Sequence, residues 1–248
     1  ISYLGRTAAA LGVMALVAGC PAEPKPDPKA QAEGMYLLGT AEYLKGNFDV
    51  AHGHFAEVRK RNPTDPRLPA AIGEVFLAEA KLSEALKEFE AAAKAYPKRV
   101  TNWSRIGFIL SLQGKRTEAV GALQKALALN PNDFNALEQL AEVHVKQNEI
   151  DEAVREFTLA AKAAPDSAKA FLYLRASGEL THRDRKAQSL SLLEAASAEG
   201  VRAPELLSEL GDLLVGAGRL VEAAATYRDA ASRSADPTLW ELVGEVMA

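Results

Sequence analysis

The sequence has 248 residues, 48% of them hydrophobic and 25% charged, which is typical of a globular protein and excludes a disordered chain as the first expectation. Its formal net charge of −4 lacks the basic excess that DNA- and RNA-binding proteins carry, so we expect no nucleic-acid partner. These residues include one cysteine, which excludes a disulfide within them and a cysteine-based zinc site.

Residues 1–20 have the pattern of a targeting segment. A positive charge precedes an apolar run of about a dozen residues from Thr7 to Val17, which is too short to span a bilayer comfortably. The end of the run, V-A-G-C at positions 17–20, resembles the bacterial lipobox. This resemblance implies that residues 1–19 are a signal peptide and that Cys20 carries a covalent lipid as the mature N-terminus; no other cofactor is expected. An ordinary secretory signal and a buried apolar helix are the alternatives.

Residues 20–31 form the next segment, in which P-A-E-P-K-P-D-P-K-A-Q from position 21 alternates proline with charge. This composition disfavours helix and core, so we predict an extended tether that reaches on the order of 30 Å from the membrane. Pro21 follows the cysteine, whereas an aspartate there would resemble the inner-membrane retention signal of enteric bacteria. The expected location is therefore the outer membrane, with the protein lipid-anchored and facing the periplasm.

From about Glu33 onward the sequence repeats with a period of 34 residues. The period is visible in alanines and prolines: Ala51, Ala85, Ala119, Ala153 and Ala187, and Pro63, Pro97, Pro131 and Pro165. The stretch from Trp103 to Pro131 contains one whole unit, with two apolar helical faces, a polar turn around Gly114 and a proline stop. Gly107 lies where two antiparallel helices would cross. The order of these residues resembles the tetratricopeptide repeat, whose period is about 34 residues.

This resemblance implies an all-α fold, a superhelical array of six helix-turn-helix units with their first helices on the concave face. The array spans residues 32–237, with units at residues 32–65, 66–99, 100–133, 134–167, 168–203 and 204–237. Residues 238–248 resemble the first helix of a further unit without a second, and we interpret them as a capping helix.

The fifth unit departs from the pattern. Counting 34 residues from unit four places Arg175 at the small position, His182 at the turn glycine and Ser191 at the large apolar position. Unit six is regular again, with Gly211 and Tyr227, but begins about two residues late. We therefore predict an insertion in the second half of unit five.

No residue pattern indicates catalysis or metal binding, and we expect no enzyme activity. His52 and His54 are two residues apart, so on a helix they point in different directions and are expected at the surface. His144 replaces an apolar residue of the repeat and is interpreted as partly buried and structural. The basic run Thr181–Lys186 is interpreted as a solvated turn, with contact to an acidic partner or anionic lipid as the alternative.

The concave face is apolar in its N-terminal half. Its candidate peptide-binding residues are Tyr36, Tyr43, Leu44, Leu77, Phe108 and Leu112. The alternative for each is packing between neighbouring units. The C-terminal half is mainly acidic and presents Glu138, Glu142, Lys146, Glu179, Glu205, Glu209 and Asp212. Arrays that clamp chaperone C-termini use lysine and asparagine where this sequence has residues such as Tyr36, Thr40 and Ala70, which argues against that ligand.

A lipobox, a short tether and six tetratricopeptide units together resemble the pilotins of type IV pili, which help secretin subunits assemble in the outer membrane. This resemblance implies a protein-binding function, in which the apolar groove would shield a segment of an unassembled secretin or of another envelope component. The alternatives are a general periplasmic scaffold for envelope-assembly or cell-wall enzymes and, in a different class, an enzyme or its regulatory subunit.

Overall fold

The computed structural model of the protein describes residues 27–248, so Cys20, the signal segment and most of the tether lie outside the described residues. The described part of the chain forms thirteen α-helices and contains no strand. The helices are α1 (Pro28–Leu44), α2 (Phe48–Arg61), α3 (Leu68–Ala78), α4 (Leu82–Ala95), α5 (Val100–Leu112), α6 (Arg116–Leu129), α7 (Phe134–Gln147), α8 (Ile150–Ala163), α9 (Asp166–Thr181), α10 (Lys186–Ala198), α11 (Pro204–Gly216), α12 (Leu220–Arg233) and α13 (Thr238–Met247). The predicted all-α superhelical array is confirmed, because the helices pack in successive pairs from α1 with α2 to α11 with α12.

A close crossing between a small residue of the first helix and a large side chain of the second joins the helices of a pair. Four crossings use glycine: Gly39 against Phe55, Gly73 against Phe89, Gly107 against Leu123 and Gly211 against Tyr227. A Cβ added at any of these glycines would come closer than 3.0 Å to the facing side chain. Glycine therefore lets the two helices approach at these places.

The turns inside the units repeat as regularly as the crossings. Each contains one residue in the left-handed region, with φ between 58° and 81°: Gly46, Ala80, Gly114, Asn148, Asp184 and Gly218. This conformation lets the chain reverse direction directly after the first helix. Successive turn residues are 34 positions apart, except for a step of 36 between Asn148 and Asp184.

That longer step corrects the assignment of unit five, in which each predicted position is wrong by two residues. The prediction assigned Arg175, His182 and Ser191 to the small, turn and large positions, whereas the structure has Ser177, Asp184 and Leu193 there. Pro165 keeps the 34-residue register, but α9 begins directly after it and is 16 residues long. The two extra residues therefore lie in the first half of the unit, before Ser177, and not in the second half.

The corrected register explains a polar contact in the core of unit five. Ser189 is the counterpart of the buried Ala153, whereas Ala187 is exposed. The hydroxyl oxygens of Ser177 and Ser189 are 2.6 Å apart, and the Thr181 hydroxyl donates to Ser189 Oγ at 3.2 Å. Because these hydroxyls are partners for one another, the unit accommodates polar side chains at buried positions.

The first helix begins earlier than predicted, since residues 28–31 are helical and not part of an extended tether. Asp27 caps this helix by accepting a hydrogen bond from the Lys29 backbone N–H at 3.0 Å. Pro28 occupies the first helical position, where its fixed φ is favourable and its missing N–H is not needed. The composition argument treated this proline as a helix breaker, although in that position it starts a helix.

The thirteenth helix lies against the last pair. Leu239 of α13 packs with the buried Leu207, Ala230 and Ala231, and α13 contacts α12 along its length. It therefore covers part of the apolar end of the sixth unit, which a repeat array must protect from water.

Gly107→Ala is expected to destabilise the protein by about 1–3 kcal/mol, because its Cβ would lie 2.5 Å from Leu123 Cγ and 3.3 Å from the Ala119 carbonyl oxygen. Gly121→Ala is the matched control: a Cβ there meets no heavy atom within 4 Å, and the change should stabilise α6 by roughly 0.5–1 kcal/mol. Urea unfolding followed by circular dichroism measures both changes. Equal stability of the Gly107→Ala and wild-type proteins would contradict the close crossing.

Candidate binding groove

Two depressions on the inner face contain four of the six predicted groove residues. We define the inner face as the surface formed by the first helices of the units, α1, α3, α5, α7, α9 and α11. The N-terminal depression lies mainly between α1 and α3 and has a volume of about 270 Å³. The central depression lies between α5 and α7 and has a volume of about 330 Å³.

The N-terminal depression brings together the predicted residues Tyr36 and Tyr43. Its full lining is Tyr36, Thr40, Tyr43, Phe55, Arg67, Ala70, Ala71, Glu74 and Arg99. The Tyr36 ring centroid lies 5.8 Å from that of Phe55, and burial raises the pKa of the Tyr36 hydroxyl. Tyr36 therefore stays a neutral hydrogen-bonding group at physiological pH, within an aromatic surface.

Arg67 forms one wall of the N-terminal depression. Its guanidinium carbon lies 4.4 Å from the Tyr36 ring centroid, within the range of a cation–π contact. Its Nη2 is 2.6 Å from Glu33 Oε2 and 2.8 Å from Asp65 Oδ2. Hydrogen bonding to Arg67 lowers the pKa of the Asp65 carboxyl, and these bonds raise the pKa of Arg67 itself. The guanidinium is thus fixed in place and its charge is balanced before any ligand arrives.

The central depression combines apolar and acidic side chains. It is lined by Phe108, Ser111 and Leu112 from α5 and by Glu138, Gln139, Glu142 and Lys146 from α7. Leu112 is 48% exposed, although leucine is usually buried. Lys146 Nζ donates to Ser111 Oγ at 3.3 Å and connects the two walls. The predicted residues Phe108 and Leu112 thus share one surface that is open to solvent.

The structure places the other two predicted residues outside both depressions. Leu77 is partly buried and packs against the core cluster that includes Phe89 and Ile106. Leu44 ends α1 and is 77% exposed, but it lines neither depression. Leu77 therefore follows the packing alternative, and Leu44 is a solvent-exposed helix end.

Arginines neutralise part of the predicted acidic half of the inner face. Arg105 Nε lies 2.7 Å from Oε1 of Glu74 in the preceding unit. Arg175 pairs in the same way with Glu142 of the unit that precedes its own. Arg183 Nη1 lies 2.8 Å from Glu179 Oε2. Sequence reasoning missed Arg105 and Arg175, which both lie two residues before the small residue of their unit. The corrected register of unit five would have revealed the second one.

Three glutamates of the inner face have no ion pair in the described part of the chain, namely Glu138, Glu205 and Glu209. Burial raises the pKa of Glu138 and of Glu209, and the nearby carboxylates Glu142 and Asp212 respectively raise it further. Glu209 and Asp212 also line a third depression, of about 500 Å³, between unit five and α11. The inner face is therefore less acidic than predicted, with its uncompensated carboxylates at two separate places.

The two arginines of the basic turn are paired within the chain. Besides Glu179, Arg183 contacts Asn148 Oδ1 at 3.4 Å, and Arg185 pairs with Asp151 of the preceding unit. These contacts brace unit five against unit four. They support the interpretation as a solvated turn, because neither guanidinium is free for an acidic partner.

Two of the four histidines, His52 and His144, also have side-chain partners within the chain. His52 was predicted at the surface, but it is partly buried, with Nε2 at 2.9 Å from Glu79 Oε2 and its ring 4.6 Å from that of Phe76. His144 Nδ1 lies 2.6 Å from Glu156 Oε2, and burial raises the pKa of that carboxyl. His144 is therefore a partly buried structural residue, as predicted.

No group of three or more His, Cys, Asp or Glu side chains in residues 27–248 is arranged to hold a metal ion. No helix in the same range is both long enough and apolar enough to cross a bilayer.

Three stretches of the chain match sequence profiles described as tetratricopeptide repeat. One profile matches residues 36–100 and 173–238, which together exceed half of the chain, and a second matches residues 110–177.

Curated relatives match over part of the chain. The peroxisomal targeting signal receptor of Komagataella phaffii is 30% identical over 111 residues, which are 45% of this chain and 19% of the receptor. The mitochondrial import receptor subunit TOM70 of Saccharomyces cerevisiae is 28% identical over 139 residues, which are 51% of this chain and 22% of that protein. The chain thus spans about a fifth of the length of these relatives.

Solved structures match over more of the chain. A structure from Pseudomonas aeruginosa, described as the functional characterization of pilF, has a TM-score of 0.61 at 16% identity and covers 86% of this chain and 96% of that chain. The crystal structure of MamA protein has a TM-score of 0.59 at 17% identity, with coverages of 67% and 90%. At identities this low, the structural likeness shows a shared fold alone.

Glu138→Gln is expected to raise the thermal unfolding midpoint near neutral pH, because the partly buried carboxylate of Glu138 lacks an ion-pair partner among the described residues. The pKa of Glu138 is higher in the folded state than in the unfolded state, so the charge is unfavourable to folding above the folded-state pKa. The gain from the substitution should disappear below the unfolded-state pKa of about 4.3.

Glu142→Gln is the matched control on the same helix. It removes the ion pair with Arg175 and should lower the midpoint near neutral pH. Differential scanning calorimetry at neutral and acidic pH measures both variants. A Glu138→Gln protein that is less stable than wild type near neutral pH would show that this carboxylate has a stabilising partner.

Proposed function

The chain belongs to the tetratricopeptide repeat family, and we propose that it is an outer-membrane lipoprotein that acts as a pilotin, binding secretin subunits of type IV pili during their assembly. The inner face would bind the client, and a lipid on Cys20 would keep the protein at the periplasmic side of the outer membrane. This is a binding function and not a catalytic one.

The observation that carries the binding proposal is the open apolar surface of Phe108 and Leu112 in the central depression. Leucine exposed beside an aromatic ring on the inner face of a repeat array is suited to a partner's apolar side chains. Burial of an apolar side chain contributes about 1.5–3 kcal/mol. A few such contacts could hold an apolar segment of an unassembled secretin and keep it from water.

The comparisons support a receptor-like role in two ways. The curated relatives include targeting-signal and import receptors, which are named for the recognition of other proteins. The pilF structure has the same fold over nearly its whole length, which agrees with the expected layout of a six-unit array. Both likenesses support the proposal without identifying the client.

The anchoring proposal rests on sequence. The apolar run before V-A-G-C at positions 17–20 resembles a lipobox, and Pro21 lacks the charge of the inner-membrane retention signal. The described array begins with Asp27 and α1, so few residues separate Cys20 from the inner face. The N-terminal depression would then lie close to the membrane.

A strain that lacks this protein is expected to lose most detergent-resistant secretin multimers on a gel, together with its pili. The wild-type gene should restore both, whereas Phe108→Glu with Leu112→Glu should not, because charge in the central depression opposes the binding of an apolar segment. Leu159→Glu with Val221→Glu is the matched control, since Leu159 and Val221 are both exposed and lie on second helices of their units. Normal multimers and pili in the deletion strain would refute the pilotin proposal and favour the general scaffold.

Cys20→Ala is expected to move the protein from the outer-membrane fraction to the soluble periplasmic fraction, because the lipid would be the attachment to the bilayer. Membrane fractionation followed by immunoblotting measures the distribution. Circular dichroism of the soluble variant should show unchanged helical content. A variant that still fractionates with the outer membrane would refute lipid anchoring at this residue.

A further inference from the structure

A second cleft continues the N-terminal depression toward the loop between units two and three. It is lined by Arg67, Tyr96, Pro97, Lys98 and Arg99 and has a volume of about 720 Å³. Arg67 and Arg99 line both this cleft and the N-terminal depression, so the two are continuous. We call the combined surface, from Tyr43 to Lys98, the basic cradle.

The basic cradle contains two cations that no carboxylate balances. Lys98 and Arg99 form no ion pair within the described residues, and Arg99 has only a distant cation–π contact, at 5.8 Å, with Tyr96. Arg67 differs from them, because Glu33 and Asp65 already bind its guanidinium. The carboxylate of Glu74 is likewise bound to Arg105. The free charge at this surface is therefore positive, although the protein as a whole is acidic.

The position of these cations in the repeat is distinctive. They follow the proline that ends unit two, in the sequence Pro97-Lys98-Arg99. Three of the equivalent tripeptides read Pro63-Thr64-Asp65, Pro131-Asn132-Asp133 and Pro165-Asp166-Ser167, each with an acidic residue and no basic one. The junction between units five and six, Val201-Arg202-Ala203, has a single basic residue, and Arg202 pairs with Asp229. The repeat architecture therefore does not require basic residues here. In the chaperone-binding arrays considered above, the cations lie on the helices. Lys98 and Arg99 lie in a loop, so they form a different binding surface.

We infer that the basic cradle binds an acidic segment of the client, in which aspartate or glutamate side chains alternate with apolar ones. This inference rests on the proposed client-binding function of the inner face. The client's carboxylates would pair with Lys98 and Arg99, whose planar guanidinium can donate two parallel hydrogen bonds. Its apolar side chains would pack beside Tyr36 and Tyr43.

The shape of the cradle favours a continuous protein segment as the occupant. The cleft and the depression together extend from α1 to the loop after α4, which is more room than a single carboxylate fills. The aromatic rings of Tyr36, Tyr43 and Tyr96 line this path and can pack against apolar side chains, whereas an anionic lipid headgroup has none. Side-chain carboxylates within a segment meet both requirements.

The test uses fluorescent peptides with blocked termini, in which leucine alternates with glutamate, glutamine or lysine. Fluorescence anisotropy measures binding to the full chain in neutral detergent. We expect the glutamate peptide to bind at least about tenfold more tightly than the glutamine peptide. Added salt should weaken this preference, since Lys98 and Arg99 are exposed. The lysine peptide should bind most weakly of the three.

Lys98→Glu with Arg99→Glu should abolish the preference for the glutamate peptide and increase binding of the lysine peptide. Lys115→Glu with Arg116→Glu is the matched control, because this adjacent pair is also exposed, lies at the N-terminal end of α6 and changes the net charge equally. The control should retain the wild-type preference. Circular dichroism should show equal helical content for both variants.

Three results would overturn the inference: equal binding of the three peptides, an equal loss in the control variant, or tighter binding of a glutamine peptide with a free C-terminus. If the Lys98→Glu, Arg99→Glu variant loses binding to phosphatidylglycerol vesicles but retains the preference for the glutamate peptide, the two cations would be assigned to a lipid surface instead. The peptides contain no secretin sequence, so these outcomes are independent of the secretin-multimer result in the deletion strain.

Discussion

Gly73 lies against the ring of Phe89, and the same approach brings Gly107 to Leu123 one unit later. The absence of a Cβ at these glycines lets two helices cross at a distance that alanine would not permit without movement of the partner. The crossing fixes how each helix is rotated about its axis. Every other surface of the unit, including the inner face, follows from that rotation.

The position of the small residue in each unit determines which neighbouring residues lie on the inner face. Tyr36 lies three residues before Gly39, and Phe108 lies one residue after Gly107, and both line a depression. Arg105 precedes Gly107 by two residues, as Arg175 precedes Ser177, and both arginines bind a glutamate of the preceding unit. A shift of two residues in unit five therefore changes a supposed core arginine into an inner-face arginine that bridges two units.

The charged residues at this surface fall into two groups: those that pair with one another across neighbouring units, and those that have no ion pair among the described residues. Arg67, Arg105 and Arg175 join neighbouring units through carboxylates, which leaves little of their charge for a ligand. Among the described residues, the groups without an ion pair include Lys98 and Arg99 at one end and Glu138 and Glu209 farther along. A client segment of defined direction could use both ends, because opposite charges along a groove favour one orientation.

Local periodicity was enough to predict the helices, the number of units and the close crossing at Gly107, since each depends on residues close together in the chain. The lipid anchor at Cys20 stays a prediction from sequence. Other features required the tertiary structure. Leu77 packs in the core, His52 reaches Glu79, and Arg175 pairs with Glu142 of the neighbouring unit. The helical start at Pro28 and the register of unit five likewise depended on how the helices pack, because a 34-residue period does not show where an insertion is absorbed. Arg99 lines the same depression as Tyr36 and Tyr43 only because successive units stack, and that placement of distant residues is set by packing and not by local pattern.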